Sequence, residues 1–135
     1  MKELFDVHCH MVPGVDDGAA DLEESLAMLK MQHEDGVRKI IIPPPYLRRM
    51  FETPAKKVHE QFLKLQEAAK KEYPDMSLYL GCELHSNMDL QDILEKRKYV
   101  TMAGSSYVLL EFSEGDSAQH IRERVYNVLS CGYEP

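Results

Sequence analysis

The sequence has no apolar run approaching the roughly 18 residues that a membrane span needs, and its opening, Met1-Lys2-Glu3-Leu4, alternates in charge without an apolar core. Neither membrane insertion nor a signal peptide is expected. It also has no surplus of positive charge. With 16 basic against 23 acidic residues the formal net charge is -7, which leaves no basic stripe to track a phosphate backbone, so nucleic acid is disfavoured as a partner. Cysteine is scarce: Cys9, Cys82 and Cys131 are odd in number, widely spaced and free of any CxxC pair. That excludes a disulfide framework and fits a reducing cytoplasm. No repeat, linker or low-complexity tract interrupts the chain. What remains is a sequence of 135 residues, 44% hydrophobic, enough for one core and not for two.

Short apolar runs rich in β-branched residues alternate with longer amphipathic stretches, the pattern of an α/β fold with parallel strands and covering helices. Strands are expected at about Leu4 to His8, Lys39 to Ile42, Ser77 to Leu80 and Tyr107 to Phe112. A first helix takes Asp21 as N-cap with Glu24 three residues on, turns Leu22, Leu26, Leu29 and His33 toward the sheet, and stops at Gly36. A second is expected to start with Thr53 as cap and Pro54 at its first position, to bury Val58, Phe62, Leu65 and Ala69, and to end before Pro74. A short helix follows near Leu90 to Leu94. The last runs from Ser117 to about Ser130, with Ile121, Val125 and Leu129 on one face and Gly132 as stop. Tyr133-Glu134-Pro135 reads as the approach to another buried strand. A (β/α) barrel takes about 250 residues, so residues 1–135 are expected to form a single incomplete domain. Its open strand edges would need cover from a partner chain or a rearranged fold.

The chemistry starts where the first strand ends. Asp6-Val7-His8-Cys9-His10 sets two imidazoles two residues apart, on one face of an extended segment, where they can clasp one metal ion. For an isolated HxH, one core histidine and one solvated histidine explain the pattern as well. Here the pair leads into Pro13-Gly14-Val15-Asp16-Asp17-Gly18, a turn-rich loop with two carboxylates, at the end of a strand where α/β sheets place ligands. Taken alone, Asp16 and Asp17 before Gly18 are an ordinary Asx turn. Two further carboxylates stand at strand ends: Glu83, after Leu78-Tyr79-Leu80-Gly81-Cys82, and Glu111, inside the apolar run Tyr107 to Phe112. An uncompensated carboxylate among such neighbours costs several kcal/mol, so Glu111 must meet a metal, a core salt bridge, several donors or a proton. Two histidines with three or four carboxylates form a hard N/O donor set suited to Mn²⁺, Fe or Zn²⁺.

His8-Cys9-His10 followed by Val12-Pro13-Gly14-Val15-Asp16-Asp17-Gly18-Ala19 resembles the opening motif of the bacterial tyrosine-protein phosphatases of the polymerase-and-histidinol-phosphatase (PHP) superfamily, which are associated with capsule and exopolysaccharide synthesis. The likeness continues through Leu22-Glu23-Glu24-Ser25-Leu26, Gly81-Cys82-Glu83 and Leu110-Glu111-Phe112. It implies the first half of a PHP-type distorted (β/α) TIM-like barrel with a trinuclear centre of divalent ions, Mn²⁺ foremost, with Fe or Zn²⁺ as alternatives. Carried over position by position, His8 and His10 would bind the first metal, Glu83 would bridge the first and second, Glu111 would bind the second, and Asp17 the third. The resemblance implies that a metal-held hydroxide attacks phosphotyrosine in a cytoplasmic partner such as a membrane-associated tyrosine autokinase.

Two departures qualify the transfer. Ile42-Pro43-Pro44-Pro45-Tyr46 puts Pro45 where a Thr-Pro-His stretch would supply a third-metal ligand, and proline has no side-chain donor, which leaves His85 or Tyr46 as substitutes. The family's His-Pro-Glu-Arg and Asp-x-His ligands would fall beyond Pro135, so the chain by itself is expected to be nearly inactive. Cysteine-based phosphatase chemistry needs an arginine at fixed spacing, and six residues after Cys9 and Cys82 stand Val15 and Met88. Both thiols read as small apolar packing groups, and Arg48 and Arg49 as either phosphate anchors or a solvated basic loop. His33, His59 and His120 read as surface or helix-face residues. A small-molecule phosphoesterase of the histidinol-phosphate type and a non-catalytic half-copy are the competing functions.

Overall fold

A computed structural model of the chain describes residues 2–46, 55–96 and 100–135. Five strands and four helices alternate: β1 (Leu4–Asp6), α1 (Leu22–Glu34), β2 (Val37–Ile42), α2 (Ala55–Glu72), β3 (Ser77–Leu80), β4 (Glu83–His85), α3 (Leu90–Lys96), a 3₁₀ turn (Met102–Gly104), β5 (Leu109–Glu111) and α4 (Ala118–Ser130). The expected Thr53 cap and Pro54, and the Arg48-Arg49 loop, lie outside the described residues.

All named strand pairs are parallel, in the orders β1-β2-β3 and β4-β5. The two groups join into one curved wall. Across the gap at Gly81-Cys82 the ladder continues as Gly81 N–H to Ile42 O (2.9 Å), Glu83 N–H to Pro44 O (3.1 Å) and Tyr46 N–H to Glu83 O (2.9 Å). β3 and β4 are thus one strand bent at a glycine, a division that alternation in the sequence does not reveal. A Cβ on Gly81 would meet Met102 Sδ at 2.7 Å and Ile41 Cγ2 at 3.1 Å, so glycine lets the 3₁₀ turn press close without the Met102 side chain having to swing aside. Beyond β5 a further pairing begins, with a parallel bridge from Tyr107 to Glu134. The α/β class read from the sequence is the one observed.

Alternation along the strands sorts the side chains. Ile40 and Ile42 are fully buried with Leu29, Leu65 and Leu78 beneath α1 and α2, while Leu84, Leu90, Leu94, Val100 and Val128 fill a second core beneath α3 and α4. Each such side chain contributes about 1.5–3 kcal/mol. On the opposite face, Phe5, Val7, Lys39, Ile41 and Tyr79 line an open hollow of about 330 Å³ on the inside of the wall. Asp21 caps α1 by accepting from Glu24 N–H (2.8 Å), and Glu24 returns a bond to Ala20 N–H (2.7 Å). On α4 the buried residue is Val128, whereas Ile121 and Leu129, on the face they share, are 37% and 52% exposed. Val128 lies beside Leu129 on the helix, and packing against α3 turns its stripe inward.

At the opposite end of the strands from the histidine pair, His33 Nε2 meets both carboxylate oxygens of Asp75 (3.0 and 2.9 Å), and Arg38 Nε lies 3.0 Å from Asp75 Oδ2. The His33 hydrogen bond foremost, aided by the Arg38 charge, holds the Asp75 carboxyl below its ordinary value against a weaker opposing push from burial. A depressed carboxyl pKa stabilises the fold above the unfolded value of about 3.9, and that contribution is lost as pH falls through the lower folded value. Asp75→Asn should therefore lower the melting temperature at pH 7 by a few degrees at low salt. Thermal scans from pH 7 to 2.5 should show the difference from wild type closing below about pH 4.

Candidate metal site

β1 ends because Asp6 redirects the chain. Its Oδ2 accepts from Gln32 Nε2 on α1 (2.6 Å) and its Oδ1 from His8 N–H (3.0 Å), which turns the backbone out of the ladder just before the histidines. Cys9 packs against the first core, and the His8 and His10 rings stand 5.3 Å apart on the other side. The loop that follows belongs to the core: Met11, Val12, Val15 and Ala19 are buried, and the buried Ser25 hydroxyl reaches Met11 O (2.7 Å) and Asp21 O (3.0 Å). Gly14 takes a positive φ of 68° and its N–H closes the loop on Ala19 O (2.8 Å), while Ala19 N–H donates to His10 O (3.0 Å).

This scaffold brings three of the five expected ligands together. His8 Nε2 lies 3.6 Å and His10 Nε2 3.9 Å from Glu83 Oε2, and one donor atom from each residue falls within 4.8 Å of the others. Glu83 is only 6% exposed, whereas the His8 side chain is 44% exposed, so the cluster is rooted in the wall and open to solvent on one side. His10, Asp16 and Asp17 form a second such group. Two neutral imidazole nitrogens and a carboxylate oxygen are donors that Mn²⁺, Fe²⁺ and Zn²⁺ all accept, so the residues fit a divalent cation.

Glu111 belongs to neither group. It is half-buried at the end of β5, in register with His85, and parallel pairing puts Glu83, His85, Leu109 and Glu111 on one face of the β4-β5 pair. Glu111 is thus at the rim of the same wall and not, as the apolar run implies, fully inside it. His85 has both ring nitrogens engaged, Nδ1 with Asn87 N–H (3.2 Å) and Nε2 with Ser113 Oγ (3.2 Å). Tyr46 packs against the second core. Pro45 forms a bridge with Glu83, so a residue with no donor stands directly beside the cluster. His33 pairs with Asp75, His120 sits 3.1 Å from Ser86 Oγ, and His59 is exposed. Burial pushes the Cys9 and Cys82 thiols up to about 12, helped by nearby carboxylates, so neither is a thiolate nucleophile at neutral pH.

Asp16 is the residue whose part the sequence did not disclose. Its Oδ1 accepts from Gly18 N–H (2.9 Å), the Asx turn expected there, and its Oδ2 lies 3.1 Å from His10 Nδ1, with the side chain 1% exposed. Local spacing signals the turn; the ring contact comes only from the loop's return over His10.

A family profile described as capsular polysaccharide synthesis, CpsB/CapC, matches residues 4–135. The tyrosine-protein phosphatase CpsB of Streptococcus pneumoniae is 37% identical over 132 residues, covering 98% of this chain and 54% of that protein. The tyrosine-protein phosphatase YwqE of Bacillus subtilis is 26% identical over 98% of this chain and 52% of its own length. A chain from the crystal structures of YwqE and of S. pneumoniae CpsB, described as unique metal-dependent tyrosine phosphatases, superposes with a TM-score of 0.85 at 26% identity, covering 96% of this chain and 53% of that one. The chain therefore spans about half the length of the relatives it matches, and its architecture is that of a PHP-type fold over that half.

Proposed function

The chain belongs to the CpsB/CapC family of capsular polysaccharide synthesis, and from that membership we propose that it is the metal-binding first half of a phosphatase acting on phosphotyrosine in proteins. The convergence of His8, His10 and Glu83 supports this reading most directly. In it His8, His10 and Glu83 would hold the first cation, Glu83 and Glu111 would serve a second, and Asp17 would serve a third. Mn²⁺ is the proposed metal. When bound, such ions acidify water and neutralise phosphate oxygens. The chain's own residues do the positioning: Glu83 anchors the cluster from within the wall, and His8 leaves it open to a phosphoester arriving from solvent. The proposed substrate is a tyrosine autokinase of capsule assembly, met in the cytoplasm. Residues 1–135 act as a single incomplete domain. The open edge of β1, the end strand of the β1-β2-β3 group, would be covered by a second copy or by further barrel.

One observation favours a non-catalytic reading: Pro45 withholds a donor beside Glu83. Metal content and p-nitrophenyl phosphate hydrolysis, measured together with added Mn²⁺ on the chain and on His8→Ala, separate the two. We expect metal uptake that weakens at least about tenfold in His8→Ala, with little turnover from a chain half as long as its relatives. Robust turnover abolished by His8→Ala would show the low-activity expectation wrong and strengthen the phosphatase assignment. No uptake at millimolar Mn²⁺ would overturn the metal site itself.

A further inference from the structure

The Asp16 contact carries a consequence for how His10 binds a cation. A carboxylate only accepts hydrogen bonds, so Asp16 Oδ2 at 3.1 Å from His10 Nδ1 requires the proton to sit on Nδ1. In the neutral ring the other nitrogen, Nε2, then carries the lone pair, and it is Nε2 that lies 3.9 Å from Glu83 Oε2. Asp16 is itself held: Gly18 N–H occupies Oδ1 at 2.9 Å, and its side chain is 1% exposed. It therefore reaches the cluster through the His10 ring.

We propose that Asp16 is a positioning residue that fixes His10 as the Nδ1–H tautomer and aims Nε2 at the cation shared with His8 and Glu83. The inference rests on the metal reading of those three residues. Asp16→Asn isolates the effect, because the amide oxygen can still accept from Gly18 N–H and keep the turn. The amide nitrogen then faces His10 Nδ1 and donates to it, which transfers the ring proton to Nε2 and blocks the lone pair that the cation needs.

The test pairs two measurements. Nitrogen-15 NMR of the histidine rings in metal-free protein reads the tautomer of His10, and titration calorimetry with Mn²⁺ reads affinity, in wild type and Asp16→Asn. The expected result is Nδ1–H in wild type, Nε2–H in the variant, and Mn²⁺ affinity lower by 10–100-fold, the usual cost of losing a partner that orients a metal-binding histidine. A role confined to the turn would not move the tautomer. Wild-type His10 carrying its proton on Nε2 overturns the proposal without recourse to the variant, which matters should Asp16→Asn fail to fold. Equal Mn²⁺ affinity in the two proteins overturns it while leaving the metal reading intact. Absence of Mn²⁺ binding in wild type, whatever the tautomer, overturns both.

Discussion

Gly18→Ala is expected to abolish most metal binding from a position that offers no ligand. A Cβ there would fall 2.0 Å from His10 O, 2.5 Å from His10 Cβ and 2.8 Å from His10 C. Two of those atoms are backbone, and none can rotate away. Relief requires either that His10 moves or that the loop lifts, and lifting breaks Ala19 N–H to His10 O (3.0 Å) while dragging Val15 and Ala19 out of the core. Gly81 shows the contrast, because the nearest atom to its missing Cβ is Met102 Sδ at 2.7 Å, the far end of a flexible side chain. We expect Gly18→Ala to cost about 3 kcal/mol in urea unfolding, at the upper end of overpacking penalties. Mn²⁺ affinity should fall about 100-fold, since a ligand displaced by ångströms no longer meets its partners. A variant matching wild type in both denaturation midpoint and calorimetric affinity would show that this close approach does not hold His10.

Glu83→Gln should separate binding from folding with opposite signs. The carboxylate is 6% exposed with two imidazoles within 4 Å of one oxygen, at 3.6 and 3.9 Å. Burying a charge carries a desolvation penalty of several kcal/mol, whereas the amide keeps the volume and avoids that penalty. Metal-free Glu83→Gln should thus unfold within about 1 kcal/mol of wild type, or somewhat later. Its affinity for Mn²⁺ should fall 100-fold or more, because a neutral amide oxygen replaces the anionic donor of a hard cation. Thermal scans with and without Mn²⁺ test both halves at once: wild type should gain stability from the ion by mass action and the variant should not. Equal stabilisation of the two proteins would remove Glu83 from the site.

The parts of this molecule legible in the sequence are those written in local periodicity. β3 spans Ser77–Leu80 as alternation predicts, α1 begins at an Asp21 cap and ends before Gly36, whose φ is 92°, and Ser117 caps α4. Periodicity fails where tertiary contacts choose. β1 stops at Asp6, two residues before His8, because the Asp6 carboxylate accepts from Gln32 through one oxygen and from the His8 amide through the other. The bend at Gly81 depends on the approach of Met102, far along the chain. On α4, several apolar residues share neighbouring angular positions, and only the docking of α3 decides that Val128 turns inward and Leu129 outward. At the candidate site the HxH spacing and the strand-end glutamates were readable because each is a short-range pattern. The Asp16 side chain's bond to His10 was not, since a return loop packed by Val12 and Val15 makes it.

Pro43, Pro44 and Pro45 carry no amide hydrogens, so the stretch of wall beside Glu83 is silent in hydrogen-exchange experiments. Among the described residues, the bonds tying that stretch and its flanking residues to the neighbouring strand run through the amides of Gly81, Glu83 and Tyr46. Local breathing at the mouth of the fold is therefore readable at those three backbone positions. They form a spectroscopic window beside the candidate ligands that requires no label and no substitution in the donor set.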